Sequence, residues 1–125
     1  MLKLLNKFLR LLIMAKSVYV IGTVGVPACY GGFESLVENL LNYTPKYVEY
    51  TVFCSAKSYS EKLENYKGAK LIYLDCNANG KDSIFYDYES MKIAIRDNAD
   101  IMLILGVSGC IFLQKKYVDN LKAKL

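Results

Sequence analysis

The chain has no histidine, no tryptophan, only two prolines in 125 residues, and no acidic residue before Glu34. Without histidine there is no imidazole to act as a base near neutral pH. Catalytic triads and metal sites built on imidazole are excluded as well. The four cysteines, at 29, 54, 76 and 110, are nowhere spaced C-x-x-C. That excludes a zinc ribbon and a thioredoxin-type redox pair, and four reduced thiols of a cytosolic protein are the simpler reading, with no metal expected. The missing acids at the front make the net charge of +4 local: Lys3, Lys7, Arg10 and Lys16 supply it, while the remaining 12 basic residues balance 12 acidic ones. A nucleic-acid footprint spread over the domain is therefore not expected.

What is present centres on residues 18–41. Val18-Tyr19-Val20-Ile21 is a short apolar, β-branched run that suits a strand covered on both faces. Four glycines and a proline follow between Gly22 and Gly32, and then Phe33, Leu36, Val37, Leu40 and Leu41 recur at the spacing of an amphipathic helix. A glycine loop joining a strand to a helix N-terminus offers backbone N–H groups beside a positive dipole end, a natural seat for phosphate. It is not a dinucleotide fingerprint, because Val24 and Pro27 stand where that motif needs glycine, and Cys54-Ser55 ends the second strand where an acid should hold ribose. Nor is it a Walker loop, since no lysine lies between Lys16 and Lys46.

Further along, 50–54, 71–74 and 101–105 read as strands by β-branched and apolar content. Residues 55–70 read as a polar surface connection with a short helix near 61–66. Ser83 is a plausible N-cap for a helix whose apolar positions Ile84, Tyr88, Met91 and Ile95 run to about Asp97. The stretch 111–125 reads as helical, turning basic. Alternating strands and helices predict right-handed crossovers and a mostly parallel α/β sheet, with ligands outside the carboxyl ends of its strands. If the first and fourth of these strands are neighbours, loops 22–32 and 106–109 flank one crevice. At the front, Lys3, Lys7 and Arg10 fall on one face of an otherwise Leu- and Phe-rich segment, the pattern of a helix lying on an anionic membrane surface. At sixteen residues it is too short and too charged to span a bilayer. A start at Met14, with the leader as an upstream extension, is the competing reading.

The stretch Val20-Ile21-Gly22-Thr23-Val24-Gly25-Val26-Pro27-Ala28, followed by Tyr30-Gly31-Gly32-Phe33-Glu34-Ser35 and Val37-Glu38-Asn39-Leu40, resembles the opening of bacterial GT-B glycosyltransferases. The nearest group is the rhamnosyltransferase-like one, in glycosyltransferase family 4, that builds capsule and other surface polysaccharides. Ser83-Ile84-Phe85-Tyr86-Asp87-Tyr88-Glu89-Ser90 and Ile104-Leu105-Gly106-Val107-Ser108-Gly109 resemble the same group, and the likeness runs from residue 18 to about residue 112.

The resemblance implies a Rossmann-like fold, the N-terminal half of a GT-B pair. It divides the chain into a basic leader, 1–16, and an incomplete acceptor-side domain, 17–125, because the family's chain continues into a donor-holding domain not found here. It implies transfer of a sugar from a nucleotide-diphosphate donor, a co-substrate rather than a cofactor, to a lipid-linked glycan acceptor. The setting would be cytoplasmic, at the inner face of the membrane, and activity would need a partner chain bearing the donor domain. Gly31 and Gly32 would bring backbone N–H groups to the donor diphosphate. Tyr30 and Phe33 would stack on a sugar, although Phe33 also fits a core position. Glu34 would meet a sugar hydroxyl or merely compensate the helix dipole. Asp87, Tyr88 and Ser90, with Ser108 and Gly109, would line the acceptor side, although Asp87 is also explained by the helix dipole and Ser108-Gly109 equally fit a plain helix start, and no residue is assigned as catalytic. The alternative is a stand-alone Rossmann-like module that binds a nucleotide or glycan without catalysis.

Overall fold

A computed structural model describes residues 1–13, 16–29, 31–78 and 80–106. Helix α1 (Leu2–Ile13) precedes strand β1 (Lys16–Ile21) and helix α2 (Gly32–Asn42). Strands β2 (Val48–Ser55), β3 (Asn65–Tyr66) and β4 (Ala69–Leu74), helix α3 (Ser83–Arg96) and strand β5 (Ile101–Ile104) follow. The sheet order is β3-β4-β2-β1-β5, parallel throughout except where β3 runs antiparallel to β4.

The β-branched runs form the sheet because both its faces are covered. Side chains alternate across a strand, so Val20, Val52 and Cys54 join Val37 and Leu41 of α2 on one face. Tyr19, Ile21 and Phe53 join Tyr86, Met91 and Ala94 of α3 on the other. Val20, Ile21, Val52 and Phe53 are wholly buried, and each such side chain is worth about 1.5–3 kcal/mol of hydrophobic stabilisation. The result is a broadly Rossmann-like, mostly parallel α/β sheet with helices on both faces.

The order carries a positional consequence. From β1 the chain steps to β2 and then β4 in one direction, and α3 then returns it to the other side of β1, where β5 pairs in register from Val18↔Ile101 to Ile21↔Ile104. The first and last of these strands are thus neighbours, and the strand order reverses between them. In open α/β sheets that reversal opens a crevice at the carboxyl ends of the two strands.

Three expectations need correction. No helix forms near 61–66; a one-turn 3-10 segment spans Ala56–Ser58 and Asn65–Tyr66 pairs antiparallel with β4 instead. Asp82, not Ser83, occupies the N-cap of α3, and the Ser83 hydroxyl donates to the Gly80 carbonyl of the preceding turn. The inward faces of both core helices are rotated from the apolar stripes. In α2 the buried residues are Glu34, Val37 and Leu41, with Phe33 and Leu36 nearly half exposed; in α3 they are Tyr86, Asp87, Ser90, Met91 and Ala94, with Ile84, Tyr88 and Ile95 outside. The helical reading of 111–125 lies outside the described residues.

Candidate functional site: the loop after the first strand

The loop leaving β1 has two parts. The first, 22–27, is packed into the protein. A side chain on Gly22, at φ 100°, would begin 2.1 Å from the Leu105 carbonyl oxygen, and one on Gly25, at φ 133°, would begin 2.6 Å from Cys54 Sγ. Both positions need glycine for backbone conformation and for space. The Leu105 N–H donates to the Ile21 carbonyl at 2.8 Å, which ties the end of β1 to the segment following β5.

Several polar groups of this half-loop are bonded within the protein, while the buried Thr23 hydroxyl has no partner among the described residues. The Val24 N–H donates to Glu34 Oε1 at 2.8 Å, and the Val24 carbonyl accepts from the Ser55 N–H at 2.7 Å. The Tyr86 hydroxyl lies 2.6 Å from the Thr23 carbonyl and 2.9 Å from that of Phe53, sharing one proton between two acceptors. Burial drives the Tyr86 phenol far above its ordinary range, so it stays a donor at any working pH. The Tyr59 hydroxyl donates to the Pro27 carbonyl at 2.8 Å; burial foremost, then the Cys29 thiol, raises it too. The Ala28 N–H donates to Glu38 Oε1 at 3.0 Å. Beneath them Cys54 is wholly buried, its thiol pushed up to about 11 by desolvation, an inert packing group at neutral pH.

The second part is open. Cys29, Gly31, Gly32 and Phe33 are exposed. Gly31, at φ 56°, is the N-cap of α2, and among the described residues no side chain caps the first N–H groups of the helix. A side chain on Gly32 would meet nothing within 4 Å, whereas one on Gly31 would begin 3.0 Å from Glu34 Oε2. The Phe33 ring stands 3.9 Å from where a side chain on Gly106 would begin. The segments after β1 and β5 therefore lie side by side at the carboxyl end of the sheet, with the Phe33 ring beside Gly106. Uncapped amides at a helix N-terminus beside a reversal of strand order are suited to an anion or to the oxygen atoms of a sugar.

The candidate residues divide by place. Gly31, Gly32, Phe33 and Glu34 lie together at the start of α2, beyond the carboxyl end of β1. Glu34, 5% exposed, clasps the loop amide of Val24, a third role beside dipole compensation and sugar contact. Asp87 and Ser90 lie under α3: the Ser90 hydroxyl donates to the Tyr86 carbonyl at 2.7 Å, and Asp87 is engaged within the protein. Tyr88 is on the outer surface of α3, with the Lys92 ammonium 5.3 Å from its ring centre. Tyr30, Ser108 and Gly109 lie outside the described residues. Sequence reasoning missed Tyr86, Tyr59 and Glu38, the residues that hold the loop. The available signal was that a tyrosine inside a helix with a buried ring must find a partner for its hydroxyl. Among the described residues no group of three or more Cys, Asp or Glu could hold a metal ion.

A family model described as a domain of unknown function (DUF1972) matches residues 15–125. No curated protein and no solved structure matches the chain.

Proposed function

The chain belongs to this DUF1972 family, and from that premise we propose that it is a binding module, taking a nucleotide or a glycan at the exposed Gly31–Gly32 turn without carrying out chemistry itself. One observation carries the reading: the rigid half of the loop holds an uncapped helix N-terminus open at the point where the strand order reverses between β1 and β5. A turn held in advance loses little conformational entropy when a ligand arrives. Gly32 permits close approach because none of the described residues occupies the space a side chain would take.

The test uses Gly32→Ala. The added methyl enters open space, so the fold is kept, but it stands where the ligand would come. Titration of the full chain with a nucleoside diphosphate, its sugar conjugate, a dinucleotide and a free glycan should find binding by one class, weakened about tenfold or more in the variant, a loss of about 1.4 kcal/mol. Binding of equal strength by both proteins would move the site elsewhere.

A second reading adds a partner to the same site: the module is the acceptor-side domain, residues 17–125, of a rhamnosyltransferase-like GT-B enzyme. What supports it, beside the motif, is an apolar rim on the two helices that begin at the carboxyl end of the sheet, with Phe33, Leu36, Ile84 and Phe85 45–67% exposed. Exposed apolar surface of this kind marks a face that another body covers. This reading expects no sugar transfer by the chain alone, and transfer to a lipid-linked glycan once a chain bearing a donor-holding domain is added.

A further inference from the structure

Helix α1 leaves a stripe of large apolar side chains uncovered. Met1, Leu4, Leu5 and Phe8 recur at i, i+3, i+4 and i+7, and all four are more than half exposed. The Leu5 N–H donates to the Met1 carbonyl at 3.0 Å, so the first residue belongs to the same helical stripe. Every described side chain of α1 is exposed, and Lys3, Asn6 and Leu9 border an open cleft with Tyr19, Asp97 and Asp100 at the amino ends of the strands. An apolar stripe of four large side chains facing solvent needs a cover.

We propose that α1 lies in the headgroup layer of an anionic bilayer, with the Met1–Leu4–Leu5–Phe8 stripe sunk below the headgroups. Charge selects this occupant. Residues 1–33 hold four basic residues and no acidic one, whereas the rest of the chain is balanced. A second copy of α1 laid on the first would oppose basic helix to basic helix; an anionic surface attracts it. The helix is about 18 Å long, short of the bilayer's hydrocarbon thickness, and no described helix is long and apolar enough to cross a membrane. It therefore rests in the interface. The cleft it lines is at the opposite end of the sheet from Gly31 and Gly32, so docking leaves the loop after β1 uncovered.

The test is co-sedimentation of the full chain with phosphatidylcholine vesicles, with and without about 30% phosphatidylserine. Binding is expected to the anionic vesicles and to fall about tenfold or more on neutral ones. The double variant Leu5→Glu, Phe8→Glu should remove it, and Lys3→Gln should weaken it about fivefold. These side chains are exposed, so the thermal unfolding midpoint should match the parent and separate lost docking from lost fold. The proposal is overturned by absence of binding, by binding indifferent to lipid charge, or by binding unaltered in the double variant. Light scattering that finds a lipid-free dimer dissolved by the same variant assigns the stripe to a second copy and overturns it too.

Discussion

The two halves of the loop after β1 use the same residue type for opposite ends. Gly22 and Gly25 are glycines because the protein is too close: the Leu105 carbonyl and the Cys54 side chain occupy the space of any side chain. Gly31 and Gly32 sit at the surface, and none of the described residues comes within 4 Å of a side chain on Gly32. Burial and bonding follow the same division. The first half is held by Glu34, Ser55, Tyr59 and Tyr86; the second leads into a helix whose first amides have no side-chain cap among the described residues. A rigid base beneath an open turn is how a short segment is given one geometry without being buried.

The sharpest way to break this contrast is Gly25→Ala. The methyl would overlap Cys54 in a backbone conformation unfavourable to any L side chain, and we expect a loss of about 3 kcal/mol in urea unfolding. Retention of near-parental stability would mean the half-loop yields easily and is no base. Next comes Glu34→Ala, which leaves the buried Val24 N–H without its carboxylate; the expected loss is about 2 kcal/mol, with Glu34→Gln recovering part of it. Tyr86→Phe strips one hydroxyl from two carbonyls and should cost about 1–2 kcal/mol. If its unfolding curve overlaid the parent's, Tyr86 would not be the strut between α3 and the loop.

Smaller effects sharpen the boundary. Glu38 joins Ala28, at the edge of the packed half, to Tyr66 of β3 and Lys67 of the turn that follows it, the Lys67 ion pair measuring 2.8 Å. Burial raises its carboxyl, but the Lys67 ammonium, the Ala28 N–H and the Tyr66 hydroxyl outweigh that and hold it below the ordinary 4.5. A depressed carboxyl contributes stability that is full above its unfolded value and is lost as pH falls through the folded one. Glu38→Gln should therefore flatten the decline in stability below about pH 4.5, by under about 1 kcal/mol for so accessible an ion pair. An identical acid limb in variant and parent would assign that decline to other carboxylates. At the bottom of the scale, Gly32→Ala should change stability by less than about 0.5 kcal/mol and yet weaken ligand binding. A clear drop in stability there would erase the distinction between the halves.

Most of the sheet was legible in the chain because β-branched and apolar runs at 18–21, 50–54, 71–74 and 101–105 are bounded by polar or glycine-rich segments. The open turn was legible too, from paired glycines ahead of a helical stripe. The inward faces of α2 and α3 were not. Apolar spacing pointed to Phe33, Leu36, Ile84 and Tyr88, but Glu34, Asp87 and Ser90 went inside. A buried polar group is tolerated when it finds a partner, and Glu34 and Ser90 find theirs in the Val24 N–H and the Tyr86 carbonyl. Periodicity counts hydrophobicity and is blind to such partners. The two-residue strand Asn65–Tyr66 escaped for a related reason, since only the neighbouring edge of β4 makes it a strand.

By itself, then, the sequence determined the alternation of strands and helices, the glycine-rich exit from β1 and the one-sided charge of the leader, all of which reside in local composition and spacing. The tertiary structure decided which glycines are crowded and which are open, which carboxylate clasps the loop, and that β1 and β5 lie side by side. Those are matters of contact between residues ten to eighty positions apart, where a carbonyl oxygen or a thiol either fills the space beside a Cα or leaves it empty.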